Sequence, residues 1–206
     1  KNRVLYHKKL LKNKHHVDKI YQIFDAMAAS VEPGSEGLIF TPWMYGERCP
    51  LDDDWVRGGL FNASLNHSRE HIIRAVFEGI SFNLRWALET MEKLYSRVSV
   101  LRIIGGGAKS DVWTQLTADI MNKKIVRVKQ PQHAGARGAA LLAAWALGYI
   151  DSFQNISTCV RIDKTFQPCP ENRGLYDRMF LYFKKIYKNN KRWYKEINAD
   201  LMDNRI

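Results

Sequence analysis

The chain has 206 residues, of which 46% are hydrophobic, and this composition excludes an intrinsically disordered protein. Its net charge of +11 would fit a nucleic-acid-binding protein. Residues 21–172, however, carry equal numbers of acidic and basic side chains, so the excess positive charge lies at the two ends. We therefore expect solvated terminal helices, with nucleic-acid binding as the alternative.

The sequence lacks the signals of a membrane or secreted protein. No apolar run reaches the roughly 20 residues of a membrane-spanning helix, and the basic N-terminal stretch has no apolar signal-peptide segment. The three cysteines, Cys49, Cys159 and Cys169, are odd in number and far apart, which favours free thiols over a disulfide framework. We expect a cytoplasmic protein with no membrane contact.

The first half of the chain predicts two helices and two short strands. The predicted elements are a helix at 17–30, a break at 32–37, strands at 38–40 and 59–65, and a helix from Ser68 to about Tyr95. Six apolar residues predict one buried stripe along the second helix: Ile72, Val76, Ile80, Leu84, Leu88 and Met91.

The second half of the chain alternates strands and helices. Its predicted elements are a buried strand at 98–104, a turn at 105–108, a helix from Lys109 or Ser110 to Asn122, a strand at 125–128, an Ala-rich helix at 136–147 and a helix at 172–198. The small residues of the Ala-rich helix would permit close packing on a sheet. This alternation is typical of an α/β domain with parallel strands.

Three consecutive glycines, Gly105–Gly107, stand between a predicted strand and a predicted helix. Ligands of open α/β sheets bind at the carboxyl ends of strands, and the first N–H groups of a helix favour anionic or polar ligand atoms. The stretch matches neither G-x-G-x-x-G nor the phosphate-binding G-x-x-x-x-G-K-[ST] pattern. A nucleotide site and a plain tight turn therefore remain two interpretations of these glycines.

Four segments resemble the C-terminal domain of the FGGY carbohydrate kinases, in the family's order. They are GLIFTPWMYGERCP (37–50), GGLFNASLNHSREHIIRAVFEGISFNLR (58–85), GGGAKSDVWTQLTADI (105–120) and AGARGAALLAAWALG (134–148). The likeness covers roughly residues 20–195 and is nearest to xylulokinases. It implies a ribonuclease-H-like, actin-like ATPase domain: a sheet flanked by helices, here with extra terminal helices.

The resemblance implies a nucleotide site made largely of backbone. Gly106, Gly107 and Ala108 would line the nucleotide, Ser110 and Asp111 would approach the adenosine, and Gly135 would form part of the adenine pocket. Close packing of a helix on the sheet is the other interpretation of Gly135 and of Gly138. The implied cofactors are ATP and Mg²⁺.

The resemblance also implies which part of the kinase this chain forms. The chain would be the ATP-binding lobe of a kinase that transfers the γ-phosphate to a ketopentose, D-xylulose first, while the N-terminal kinase lobe supplies the catalytic base. We expect no catalytic residue and no metal ligand in this chain, and no turnover by it alone. Its expected partners are the sugar, the N-terminal lobe and, in a homodimer, a second copy.

The domain boundaries follow from the same likeness. They give a basic helical extension at 1–31, the kinase C-terminal domain at 32–198 and a tail at 199–206. A non-catalytic basic module with this fold, binding nucleotide or nucleic acid, is the alternative. Ala63 and Ser64 replace the Gly and aliphatic residue that are usual in the family, so the resemblance does not fix the sugar.

Two other groups of residues could carry chemistry. The sequence HSREH at 67–71 satisfies the H-x-x-E-H zinc pattern, but a helix capped by Ser68 would leave His67 outside it. Asp52–Asp54 could suggest a metal site, although a solvated turn is more usual for adjacent aspartates in a loop. The pair Glu47–Arg48 is expected to be a structural ion pair or a contact with the N-terminal lobe.

Overall fold

The computed structural model describes residues 14–203, and these form two compact units. The first unit contains the described residues up to Asn83 together with those from Arg178 onward. The second contains Leu84–Asp177. The predictions for the basic residues 1–13 lie outside the described part of the chain.

The first unit combines helices with a two-stranded antiparallel sheet. Its elements are α1 (Lys14–Ala29), β1 (Ile39–Thr41), β2 (Gly59–Phe61), the first part of α2 (Arg69–Leu94) and most of α5 (Arg173–Asp203). In the sheet, Phe40 pairs with Leu60. All five elements were predicted from periodicity, with bounds that differ by up to five residues.

An aromatic cluster forms the core of the first unit. Trp43 and Phe183 are fully buried, and their rings lie 5.2 Å apart. Phe82 of α2 stacks on Phe180 of α5 at 6.2 Å and also contacts Phe183. Burying such large rings is the main source of stability at this position.

A buried ion pair joins α2 to the loop before β1. Glu78 is 1% exposed and accepts hydrogen bonds from Arg74 Nε at 2.8 Å and from the Gly34 N–H and Ser35 Oγ, both at 2.9 Å. Arg74 Nη1 also donates to the Ala28 carbonyl in the last turn of α1 and to the Val31 carbonyl just after that helix. Each buried charge is therefore matched by several polar partners, which a buried ion pair requires.

The second unit is built on a three-stranded sheet. The strands are β3 (Val100–Ile103), β4 (Lys124–Val128) and β5 (Ile162–Phe166), in the order β3-β4-β5. β3 and β4 are parallel, and β5 is antiparallel to β4. α3 (Asp111–Met121) joins β3 to β4, and α4 (Ala134–Ala146) follows β4; the unit also contains α2 from Leu84 onward and the first residues of α5.

The bounds of α3 agree with its predicted caps. Ser110 immediately precedes the helix, and its hydroxyl accepts the Trp113 N–H at 2.9 Å. Asn122 ends the helix in the left-handed conformation, with φ 49°. Both residue types are preferred at these positions because Ser accepts an orphan helix N–H and Asn tolerates positive φ. On its inner face Leu116 and Ile120 are buried, and Val112 is half-buried.

Three burial predictions are wrong. On α2, Ile72, Leu84 and Met91 are exposed and Leu88 is buried, because the buried face runs through Ala75 and Phe82 and also contains the bonded pair Arg74–Glu78. β3 contains no buried residue, since within the described chain it pairs only with β4. α4 has no buried residue either, so its small side chains are not packed against a sheet. Strand β5 was not predicted at all.

In residues 14–203, no helix combines the length and the apolar character that a transmembrane span needs.

Replacing Gly79 by Ala should destabilise the protein. A β-carbon there would lie 2.1 Å from the Phe40 carbonyl oxygen of β1, so α2 and β1 would have to separate. We expect the free energy of unfolding to fall by about 3 kcal/mol in urea titrations followed by tryptophan fluorescence. Gly138→Ala is the matched control, because it also lies in a helix but its β-carbon would meet nothing within 4 Å. Equal effects of the two changes would contradict this account.

Candidate functional site

The chain turns sharply where β3 ends. Gly105 has φ +92°, a backbone conformation that side-chain-bearing residues rarely adopt. Its N–H donates to the Pro131 carbonyl at 2.8 Å, which ties the end of β3 to the segment that leads into α4. The turn and the start of α4 are therefore held side by side.

The first part of this turn is open to solvent. A β-carbon added at Gly105 or Gly106 would meet no atom within 4 Å. Among the described residues, the N–H groups of Gly106 and Gly107 have no acceptor, whereas the N–H groups of Lys109 and Ser110 donate to the Gly106 and Gly107 carbonyls in a 3-10 turn. Two adjacent N–H donors are thus left without an acceptor in the described part of the chain, next to the open space at Gly106.

The second part of the turn faces the protein. A β-carbon at Gly107 would lie 2.5 Å from the Trp113 ring, so this glycine makes room for an indole. Ala108 is 1% exposed, and its carbonyl accepts a hydrogen bond from Arg127 Nη1 at 3.1 Å. Ala108 therefore offers a ligand almost no surface, whereas the backbone of Gly107 is exposed.

Asp111 begins α3 directly after the turn. Its carboxylate accepts from Arg127 Nη1 at 2.5 Å and from Lys164 Nζ at 2.6 Å. The hydrogen bond from Lys164, with that from Arg127, holds the pKa of Asp111 below its usual value. A carboxylate at a helix N-terminus also interacts favourably with the helix dipole. Asp111 therefore stays ionised, with one oxygen bonded to each cation.

The loop before α4 lies against the glycine turn. The 3-10 turn Pro131–His133 contacts the turn Gly107–Lys109, and Arg137 Nη2 donates to the Lys129 and Gln130 carbonyls at 2.6 and 2.9 Å. The structure thus brings the segment that begins at Gly105 together with the first turn of α4, where Gly135 lies.

Gly135 is not explained by packing within this chain. A β-carbon at Gly135 or at Gly138 would meet no atom within 4 Å, and both residues are exposed. The close helix–sheet packing that was the second interpretation of these glycines is therefore not observed in the described residues. Whether Gly135 contacts a nucleotide stays a prediction.

The histidines of HSREH contact neighbouring residues through Nδ1 and Glu36 through Nε2. His67 lies outside α2, as predicted, and its Nδ1 accepts the Ser64 N–H at 3.0 Å. His71 Nδ1 accepts the Ser68 N–H at 3.2 Å. Within residues 14–203, no group of three His, Cys, Asp or Glu residues is arranged to hold a metal ion.

The aspartates at 52–54 form a charged turn. Arg48 pairs with Asp52 at 2.8 Å and with Asp54 at 2.9 Å, while Asp53 accepts the Tyr187 hydroxyl at 2.9 Å. Of the two expected roles of Glu47–Arg48, the ion pair is wrong: the Glu47 carboxylate accepts backbone N–H groups and the Asn83 amide. Contact with the N-terminal lobe stays a prediction.

A separate cavity of about 430 Å³ lies where the last turns of α2 approach the end of α3. No residue of the glycine turn lines it. Two of the cations that line it form ion pairs within the protein: Arg85 with Asp177 at 2.6 Å and Lys123 with Glu92 at 2.7 Å. The cavity is therefore distinct from the candidate nucleotide site.

Arg127 and Lys164 were missed by the sequence analysis. Both lie on the strands beside the turn, and both bond Asp111, which was predicted to approach a ligand. The sequence shows only that each of these basic residues lies in a short segment that could form a strand. That pattern does not reveal that both bond to Asp111. The contact depends on β5, which was not predicted.

The family model for the C-terminal domain of the FGGY carbohydrate kinases matches residues 5–147. The xylulose kinase of Staphylococcus epidermidis is 38% identical over 180 residues, which are 85% of this chain and 35% of that protein. The chain thus spans about a third of the length of the curated relatives it matches.

Two solved structures show the same architecture. Gluconate kinase from Lactobacillus acidophilus superposes with a TM-score of 0.77 at 33% identity, over 85% of this chain and 36% of that one. Plasmodium falciparum glycerol kinase with ADP superposes with a TM-score of 0.68 at 27% identity, over 88% and 36%. The expected fold, that of an actin-like ATPase domain in an FGGY kinase, is confirmed.

Asp111→Asn should make the protein less stable at neutral pH. Because the folded pKa is lowered, the ionised carboxylate stabilises the fold above the unfolded value of about 3.9, and this contribution is lost as the pH falls through the folded pKa. We expect a loss of about 1 kcal/mol in urea unfolding at pH 7, which shrinks towards pH 3.

Asp151→Asn, at another exposed carboxylate, is the control for that substitution and should leave the unfolding midpoint unchanged. A loss of stability in Asp111→Asn that is the same at both pH values would show that its ion pairs do not stabilise the fold.

Proposed function

Because the chain belongs to the FGGY family of carbohydrate kinases, we propose that it forms the ATP-binding lobe of a kinase that phosphorylates a sugar. The observation that carries the proposal is the open glycine turn at the end of β3. It leaves the N–H groups of Gly106 and Gly107 without an acceptor among the described residues, and the space at the Gly106 β-carbon, beside the loop before α4, is unfilled. Such groups bind the polar and anionic atoms of nucleotides without obstruction by side chains.

The adenine nucleotide would lie between this turn and the first turn of α4. Gly106 and the open face of Gly135 leave room for it, and the related glycerol kinase structure was determined with ADP. Ser110 caps α3 with its hydroxyl, so its contribution would be to fix the helix N-terminus. Mg²⁺ would arrive with the phosphates, since the described residues hold no ready set of metal ligands.

The phosphate acceptor would be D-xylulose. The relative that is 38% identical is a xylulose kinase, and we rank its substrate above that of the gluconate kinase at 33% identity. Both substrates are open-chain polyols or short-chain sugars with a terminal hydroxyl, so the lobe would be compatible with either. The contacts that separate them would lie in the part of the kinase beyond this chain.

The catalytic base would also come from that other part. A general base must accept the proton of the sugar hydroxyl, and its pKa works best near the operating pH. Asp111, the carboxylate nearest the glycine turn, has a lowered pKa and bonds two cations. It is therefore unsuited to accept a proton, and the chain would contribute positioning of the nucleotide only.

The exposed face of the second unit would be covered by the other lobe. Leu142, Trp145 and Leu147 of the α4 segment are each at least 40% exposed, and β3 presents one strand edge that no described residue pairs with. A soluble domain rarely leaves a helix this apolar without a partner. The occupant we infer is the remaining two thirds of an FGGY kinase, which the relatives possess.

The alternative, a non-catalytic basic module, is not favoured. The relatives are kinases, and several lysines of α5 lie over its own aromatic rings, such as Lys184 over Phe180 at 4.2 Å. These charges belong to a solvated amphipathic helix, as the sequence analysis expected.

Gly106→Val should weaken ADP binding without unfolding the protein. Gly106 has ordinary helical angles and open space at its β-carbon, so the fold should tolerate valine, while the added methyl groups would occupy the nucleotide's place. We expect the dissociation constant for ADP in titration calorimetry to rise at least about tenfold. Ala146→Val, at the far end of α4, is the control. No ADP binding by the unmodified chain would overturn the proposal.

Kinase activity should appear only when the second lobe is supplied. The chain alone should show no ATP-dependent phosphorylation of D-xylulose in a coupled assay. A chimera in which it replaces the matching third of the Staphylococcus epidermidis xylulose kinase should show turnover, with D-xylulose preferred over gluconate. Turnover by the chain alone, or an inactive chimera that folds and binds ADP, would contradict the proposed division of labour.

A further inference from the structure

Arg127 is the most connected side chain around the glycine turn. It lies on β4, the central strand of the sheet, and its side chain is 12% exposed. Its guanidinium donates to three groups on three different elements: Asp163 on β5, Asp111 at the start of α3, and the Ala108 carbonyl in the 3-10 turn. One side chain on the central strand thus bonds to β5, to the start of α3 and to the 3-10 turn.

The pairing of β4 with β5 explains why carboxylates surround Arg127. Arg127 and Lys164 are direct cross-strand partners on β4 and β5, and like charges in that position repel. Asp111 lies between them and gives one carboxylate oxygen to each. With Asp163 on the other side of Arg127, two cations meet two carboxylates. The Asp111 carboxylate is thereby committed to the protein, and its direct contact with a nucleotide would cost these bonds.

The Ala108 carbonyl is the point at which this network reaches the turn. Within the turn, the Lys109 and Ser110 N–H groups bond the Gly106 and Gly107 carbonyls, and the Ala108 carbonyl bonds Arg127 instead. The turn is thus held at one end by the Gly105–Pro131 hydrogen bond and at the other by Arg127. A hydrogen bond from a charged donor is stronger than one between neutral groups, so the second anchor is firm.

We propose that Arg127 is a positioning residue for the nucleotide, which it affects by fixing the peptide planes of the glycine turn. The inference rests on the proposed ADP site. Arg127 does not touch the nucleotide; it sets the direction of the free Gly106 and Gly107 N–H groups that do. The assignment of Asp111 changes accordingly, from a ligand contact to the partner that holds Arg127 in place.

The test compares Arg127→Met with Asp163→Asn by ADP titration calorimetry. Arg127→Met removes the anchor of the Ala108 carbonyl, whereas Asp163→Asn removes an ion pair of Arg127 and leaves that anchor. Both variants are measured well below their thermal unfolding midpoints, so that each is fully folded. Under these conditions a residue that only stabilises the fold would not change the affinity for ADP. We expect the dissociation constant for ADP to rise about tenfold in Arg127→Met and to stay within about twofold in Asp163→Asn.

A third variant, Arg127→Lys, covers the case in which Arg127→Met fails to fold. Lysine keeps the charge but cannot donate to Asp111, Asp163 and the carbonyl together, so a smaller loss of affinity is expected. Unchanged ADP affinity in a folded Arg127 variant, or an equal loss in Asp163→Asn, would overturn the inference. Absence of ADP binding in the unmodified chain would instead refute the proposed function.

Discussion

The hydrogen bond from Gly105 to Pro131 is the constraint on which the candidate site depends. It forms only because Gly105 adopts φ +92°, which lets β3 end abruptly and turn towards the segment before α4. A side chain at this position would be strained, and the two segments would lose their registration. The open N–H groups of the turn and the exposed face of Gly135 become neighbours through this one contact.

The two halves of the turn have different physical roles. Gly105 and Gly106 are glycines that leave space outward, whereas Gly107 is a glycine that makes room inward for Trp113. A run of three identical residues therefore has an open side, where we propose that the nucleotide binds, and a packed side. Arg127 donates to the Ala108 carbonyl in the turn and to Asp111 directly after it. The hydrogen bond to Asp111 explains why an aspartate follows the turn.

Local chemistry was predictable from the sequence, and long-range pairing was not. The caps of α3 follow from Ser110 and Asn122 because capping needs only neighbours in the chain. The buried face of α2 was misjudged because periodicity counts apolar residues, while that face buries Arg74 and Glu78 as a bonded pair. Strand β5 was missed because its first four residues are exposed. The partners of Asp111 come from β4 and β5, so no local pattern reveals them.

Backbone amide NMR during an ADP titration tests the central claim most directly. The account predicts that the resonances of Gly106 and Gly107 shift in step with ADP concentration, since their N–H groups are the proposed donors. Binding that shifts only resonances elsewhere, such as those of Arg85 and Lys123 at the separate cavity, would contradict it.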